Sequence, residues 1–191
     1  IYYQTKDGFL DKIDQSFEID PGAIVYDLAD VDPAPGREIL VFQAEGLFYY
    51  RQDNGRFEES VHALLETESI FKLQDKKCLP HFEIARDLNH DNRKEIMVPQ
   101  FNGLSIYRAD DGGHYQLSSS LRAPMQSNIL SATEVSDYLV STFIIPNMVI
   151  ADYNRDQRAD IVCVQETYLH VFLQDLQGNF SNDNALLIDL N

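Results

Sequence analysis

The stretch RDLNHDNRKEIMV, Arg86 to Val98, places side-chain oxygens at Asp87, Asn89 and Asp91, with Glu95 four residues on and an apolar run behind it. Oxygens that close repel one another unless something stands between them, so the spacing points to a hard cation or to an elaborate polar turn. The same order returns in ADYNRDQRADIVC, where Asp152, Asn154, Asp156 and Asp160 lie 65 residues after their counterparts. Ile161 and Val162 stand where Ile96 and Met97 stood. Two matches at a fixed offset are the signature of a structural repeat.

A third, less regular copy lies upstream in YDLADVDPAPGREILVF, where Asp27, Asp30, Asp32 and Glu38 precede Ile39, Leu40 and Val41. Taken from Asp27, this copy is three residues longer between first and last acid. Before each acidic stretch stands a short apolar run (AIVYD, FEIARD, MVIAD). After it come a second run (EILVF, EIMVP, DIVCV) and an alternating third (LFYYR, LSIYRA, LHVFLQ). Such runs read as strands. Next comes a turn with Gly and an aromatic residue (DNGRF, DDGGHY, DLQGNF), which supplies the positive φ that tight hairpins need. A fourth run closes each unit. The expected fold is all-β: four-stranded antiparallel meanders of roughly 50 to 65 residues each.

The chain is thus expected to form one β-propeller segment over 1–191: a partial blade over 1–20, then blades over 21–81, 82–147 and 148–191. About three and a half blades fall short of the usual closed rings of about four to eight, so strand edges are expected to need the rest of a propeller or a partner. Helical periodicity is weak; HALLETESIFKLQ, His62 to Gln74, reads either as a short helix or as a fourth strand and its connection. Residues 121–147, with Pro124, Pro146 and several Ser, form the longest insertion between units.

Composition narrows the function. With 44% hydrophobic residues and a mean hydropathy of −0.30, the chain reads as a globular protein. No apolar stretch approaches the roughly 20 residues of a membrane helix, so no membrane insertion is expected. Fifteen Lys and Arg against 31 Asp and Glu give a net charge of −16, which disfavours nucleic acid and anionic membranes and favours cations. Calcium accepts mixed carboxylate, amide and backbone oxygens in a short loop. Cys78 and Cys163 lack disulfide or zinc spacing, and Cys163 falls in the register of core valines. The chain begins at Ile1 without an initiator Met or a leader pattern, as a trimmed sequence would.

DLNHDNRKEI and DYNRDQRADI resemble the FG-GAP or VCBS repeats of integrin α-subunit-like β-propellers, whose pattern is D-x-[DN]-x-D-G-x-x-[DE] followed by an apolar strand. That resemblance extends over nearly the whole chain in strand and hairpin spacing. It implies a segment of a ring of about seven blades. It also implies that Ca²⁺ is held by Asp87, Asn89, Asp91 and Glu95 with the Arg93 carbonyl, and by Asp152, Asn154, Asp156 and Asp160 with the Arg158 carbonyl. Asp27, Asp30, Asp32 and Glu38 form a weaker candidate set, interrupted by Pro33 and Pro35. Where the family has Gly after the third acid, this chain has Asn92 and Gln157. Gln there is expected to strain or bend the second loop.

The resemblance further implies a non-enzymatic module at the cell surface, in the periplasm or outside the cell, which binds a protein or carbohydrate ligand for adhesion. The competing expectations are the propeller portion of a larger secreted enzyme or toxin, with catalysis elsewhere, and a plain structural spacer. An EF-hand is excluded, because the twelfth loop residues are Val98 and Cys163, in strands. The metal-free alternative is that Asp and Asn merely bond their own turns. No G-x-S-x-G, H-E-x-x-H, Gly-rich phosphate loop or C-x-x-C is present. His62, His81, His90, His114 and His170 are scattered, and Tyr2, Tyr3, Tyr49, Tyr50 and Tyr107 read as strand packing. Asn179-Phe180-Ser181 matches a glycosylation acceptor but occupies a hairpin that demands such residues anyway.

Overall fold

The structure is a computed structural model that describes residues 1–2, 4–6, 8–9, 13–69, 79–100, 103–123, 127–128, 142–143, 148–165 and 167–191. Among these residues there is no helix. A short hairpin, β1 (Gln4–Thr5) and β2 (Gly8–Phe9), comes first. Sheet one contains β3 (Val25–Ala29), β4 (Glu38–Gln43), β5 (Gly46–Asp53) and β6 (Arg56–Glu66). Sheet two contains β7 (Ala85–Arg86), β8 (Glu95–Gln100), β9 (Gly103–Ala109) and β10 (Tyr115–Leu121). After the minor pair β11 (Ser127–Asn128) and β12 (Thr142–Phe143), sheet three contains β13 (Met148–Ala151), β14 (Asp160–Gln165), β15 (Tyr168–Gln174) and β16 (Phe180–Asp189).

Each four-stranded sheet is an antiparallel meander in chain order. The strands therefore follow the apolar runs, and the acidic stretches become the loops between first and second strands. His62–Glu66 lie in β6, so this end of the helix-or-strand segment is strand; its residues 70–74 lie outside the described residues, as does Cys78. Tyr3, Pro124, Pro146 and most of the long insertion also lie outside them. Asn54 and Gly55 close the β5–β6 hairpin at φ 48° and 77°, the doubly left-handed turn that Asn-Gly favours.

The second and third strands of every sheet carry apolar residues on both faces. On sheet one, Leu40, Phe42, Leu47 and Tyr49 pack against Ile84, Ile96 and Val98 of sheet two. On sheet two, Met97, Leu104, Ile106 and Leu121 pack against Ile161, Cys163 and Phe172 of sheet three. The opposite face of sheet one, with Ile39, Val41, Tyr50 and Phe57 of β6, is covered in part by Phe17 and Leu79. Cys163 is a core residue, as its register implied, and burial pushes its thiol pKa up to about 12.

Sheets one and two are also joined through backbone. Tyr26 N donates to Pro80 O and Phe82 N to Tyr26 O, both at 3.0 Å, so the chain entering β7 runs parallel to β3. Asp27 locks this seam. Its Oδ2 accepts from Ile84 N (2.7 Å) and Ala85 N (2.9 Å), and its Oδ1 from Leu28 N (2.7 Å), with His81 Nε2 3.2 Å away. Asp27 thus sits in strand β3, not in the acidic loop.

The buried amides of Ile84 and Ala85 have the Asp27 carboxylate as their acceptor, so its removal leaves donors unsatisfied in the core. Asp27→Ala is expected to cost about 2 to 4 kcal/mol of stability. Urea denaturation checks this: a lowered midpoint with an unchanged slope is the expected result.

Candidate functional site

Strand pairing aligns the three acidic loops, and the alignment corrects the sequence reading of the first. Ala29 pairs with Glu38 and Arg86 with Glu95, while Ala151 pairs with Asp160. The first acid of the upstream loop is therefore Asp30, and the interval to the last acid is the same in all three loops: Asp30 to Glu38, Asp87 to Glu95, Asp152 to Asp160. Nothing is inserted. The place held by Asp91 and Asp156 is Ala34, and Pro33 and Pro35 stand at the places of His90 and Asn92.

That substitution matters because of the backbone. His90 and Asn92 have φ of 62° and 68°, and Arg155 and Gln157 have φ of 63° and 70°. Both intact loops thus turn twice through the left-handed region, at matching residues, and Gln157 bends as Asn92 does. The expected strain at Gln157 is present, but a different bend is not. Proline holds φ near −65°, so the upstream loop cannot adopt this path.

The double turn gathers side-chain oxygens inward. In the loop of sheet two, Asp91 N donates to Asn89 Oδ1 (2.9 Å), Asn92 N to Asp87 Oδ2 (3.0 Å) and Arg93 N to Asp91 Oδ1 (2.8 Å). In sheet three, Asp156 N donates to Asn154 Oδ1 (3.0 Å), Gln157 N to Asp152 Oδ2 (3.0 Å) and Arg158 N to Asp156 Oδ1 (2.9 Å). Asn89 Nδ2 and Asn154 Nδ2 bridge to Asp91 Oδ2 (2.9 Å) and Asp156 Oδ2 (2.7 Å). An amide N–H therefore lies between oxygens where a cation would otherwise neutralise them. Asp87 Oδ1 is buried with no hydrogen-bond partner.

The last acid does something else. Glu38, Glu95 and Asp160 open the second strand of each sheet at 0%, 1% and 0% exposure. Each reaches back seven residues to the loop: Val31 N to Glu38 Oε2 (2.9 Å), Leu88 N to Glu95 Oε2 (2.7 Å), Tyr153 N to Asp160 Oδ2 (2.9 Å). The other oxygen of Glu95 accepts from Arg108 Nε (3.2 Å), and that of Asp160 from Gln174 N (3.0 Å). In sheet one the matching arginine, Arg51, turns instead to Asp32 (2.6 Å), which also accepts from Tyr49 Oη, and Glu38 Oε1 has no partner. Burial pushes the pKa of Glu38 and of Glu95 up; the loop N–H bonds, and for Glu95 also Arg108, oppose it. Burial also acts to raise Asp156, but the bonds from Arg158 N and Asn154 and the Arg158 charge outweigh it and hold the carboxyl below its usual range.

An all-oxygen donor set of carboxylates and amides suits Ca²⁺. Asp87, Asn89 and Asp91, and Asp152, Asn154 and Asp156, fit that group: alternate residues converge, and Asp87 Oδ1 is buried and unpartnered. Glu95 and Asp160 are already bound to N–H donors, and Arg158 forms an ion pair with Asp156. Among the described residues, no three His, Cys, Asp or Glu side chains stand close enough together to hold a metal without rearrangement. In the upstream loop the Arg51 guanidinium already neutralises Asp32, the third acid is absent and prolines fix the path, so this loop does not fit a metal.

The residues around these loops that spacing could not reveal are Arg108 and Gln174. Arg108 Nη2 donates to Gly178 O (2.8 Å) and Gln174 Nε2 to Leu88 O (2.9 Å), tying the loop of sheet two to the hairpin of sheet three. Gly178, at φ 80°, is required here, because a Cβ would lie 2.8 Å from that of Asn89. The histidines do not converge on a common centre among the described residues. Asn179 is half-buried at this seam, with Arg108 Nη1 3.4 Å from its Oδ1.

No family model matches the chain, and no curated protein matches it.

The left-handed backbone at residue 157 makes a direct prediction. Gln157→Gly relieves a conformation that costs a β-carbon roughly 1 to 2 kcal/mol, so it should stabilise the protein by up to about that amount. Chemical denaturation measures the gain; Asn92→Gly should give less, since Asn tolerates this region.

Proposed function

We propose that the chain is a non-catalytic, calcium-binding β-propeller segment that presents its surface to a protein or carbohydrate ligand outside the cytoplasm. Asp87, Asn89 and Asp91 hold one Ca²⁺, and Asp152, Asn154 and Asp156 another, with the carbonyls of Arg93 and Arg158 alongside. Glu95 and Asp160 contribute chiefly by closing the loops. The upstream loop, with Asp30, Asp32 and Glu38, is the version that works without metal. The observation that carries this reading is the same oxygen-lined, doubly left-handed loop at the same place in two successive sheets. Strained residues at matched positions are characteristic of ligand clamps.

The bound ion clips the first strand to the second, so its effect is on stability and alignment. At an extracellular-type affinity of roughly 10⁻⁴ M, millimolar calcium adds about 1.4 kcal/mol per site. Three meanders packed face to face are compatible with blades of a larger ring of about seven. The net charge of −16 supports a cation-rich setting.

Calorimetric titration with calcium, paired with melting temperature in calcium and in chelator, tests the proposal. The expected result is a calcium-dependent rise in melting temperature. Asp156→Ala should lower the melting temperature more in calcium than in chelator, where it removes only the turn bonds from Arg158 and Asn154. Equal destabilisation in both conditions, or no response to calcium, means that the loops are metal-free turns.

A further inference from the structure

The two sheet-to-sheet seams are built from matching parts, and one of those parts is placed differently. Between sheets two and three, Arg108 fills the junction of loop and hairpin. Its Nε lies 3.2 Å from Glu95 Oε1, Nη2 donates to Gly178 O (2.8 Å) and Nη1 lies 3.4 Å from Asn179 Oδ1. The hairpin there sits directly on the loop, since a Cβ on Gly178 would lie 2.8 Å from that of Asn89.

Between sheets one and two the counterparts are Glu38 for Glu95, Arg51 for Arg108 and Asp32 for Asn89. Gly113 closes its hairpin as Gly178 does, at φ 81° and 80°. The difference is the charge at Asp32, whose Oδ2 takes both Arg51 Nη2 (2.6 Å) and Tyr49 Oη (2.8 Å). Arg51 Nε and Glu38 Oε1, the atoms that correspond to the Arg108–Glu95 bond, are left buried and without partners. The junction stays open. A Cβ on Gly113 would meet nothing within 4 Å, and a cleft of about 310 Å³ separates Asp30, Val31 and Pro33 of one sheet from Lys94, Gly113 and Tyr115 of the next.

Around this cleft, negative charge prevails. Asp30 is exposed on its wall and accepts no hydrogen bond among the described residues. Glu38 shares the face of Leu40 and Phe42, which pack toward sheet two, so its unpartnered oxygen faces the seam beneath Val31. Burial, then the charges of Glu95, Asp30 and Glu38, push the pKa of the Tyr115 hydroxyl up, so the cleft floor lies in the field of these carboxylates. The lining also carries two cations. Arg93 is held by Asp110 O and Asp111 Oδ1, both at 3.2 Å, and Lys94 forms no ion pair among the described residues.

We propose that this cleft is a seat for an alkylguanidinium group from outside the chain, which takes the position that Arg108 takes in the neighbouring seam. One edge of its fork faces Asp30 and the buried Glu38 carboxylate, the other the Gly113 carbonyl. A guanidinium suits this better than an ammonium, because its donors spread in a plane and span acceptors on two sheets. Asp32 is then the residue that keeps the seat clear of the chain's own arginine.

The seat does not depend on calcium, so its test runs in chelator and the two readings fail separately. Amide chemical shifts of the full chain are followed as n-butylguanidinium or n-butylammonium is added. The expected result is saturable shifts at Asp30, Val31, Gly112 and Gly113, with the guanidinium binding about threefold or more tighter than the ammonium. Asp30→Asn weakens that binding by about fivefold or more. Asp32→Asn abolishes it, since Arg51 then turns to Glu38 as Arg108 turns to Glu95, and adding Arg51→Met to that variant restores it. Where Asp32→Asn does not fold, Asp30→Asn decides. A capped Ala-Arg-Ala peptide separates the sources: tighter binding than n-butylguanidinium assigns the group to a partner's side chain, and equal or weaker binding to a small molecule. The proposal is overturned by an absence of shifts, by unsaturable shifts spread over the acidic surface, or by undiminished binding in Asp32→Asn. Binding that appears only in Lys94→Met also overturns it, because Lys94 is then the occupant.

Discussion

A buried carboxylate reaching back seven residues to a loop amide is the contact on which each sheet depends. Glu38, Glu95 and Asp160 each start a strand whose interior is largely apolar, and each spends one oxygen on the loop N–H that follows the first acid. A carboxylate in such surroundings is costly unless donors occupy its oxygens, and Glu38, with Oε1 unpartnered, is the least satisfied of the three. The bond therefore fixes where the loop ends and where the second strand begins, and hence which residues face each neighbouring sheet. In sheet two this carboxylate also takes Arg108, which holds the hairpin of sheet three, so loop closure and sheet packing form one network.

The three loops show how the same closure serves different interiors. Two are lined with inward-facing oxygens and pass twice through left-handed backbone, a costly arrangement that concentrates negative charge. The third neutralises its Asp32 with Arg51 and replaces the strained residues by prolines. Under the proposed function, calcium in two loops and arginine in the third would be alternative counter-charges in one scaffold. Arg158, paired with Asp156, stands between the two solutions.

Much of the fold was legible from residue order. Apolar runs at a repeated interval, punctuated by Asp-Asn-Gly and its relatives, located nearly every long strand, because strands buried on both faces and positive-φ turns leave direct marks on composition. The candidate loops were legible for the same reason. Their alignment was not. Counting acids assigned Asp27 to the upstream loop, since an aspartate in a strand looks the same as one in a turn. Only the pairing of Ala29 with Glu38 gave that place to Asp30.

The sequence by itself determined the meander, the hairpins and the oxygen-rich loops, all of which arise from contacts between residues near in the chain. Tertiary structure decided what those loops are bound to. Asp27 meets Ile84 and Ala85, Arg108 meets Gly178, and Gln174 meets Leu88 only because whole sheets stack. The difference is physical: a turn is fixed by local backbone sterics, whereas a partner for a buried charge is chosen by whichever distant donor the packing of apolar faces brings within 3 Å or so.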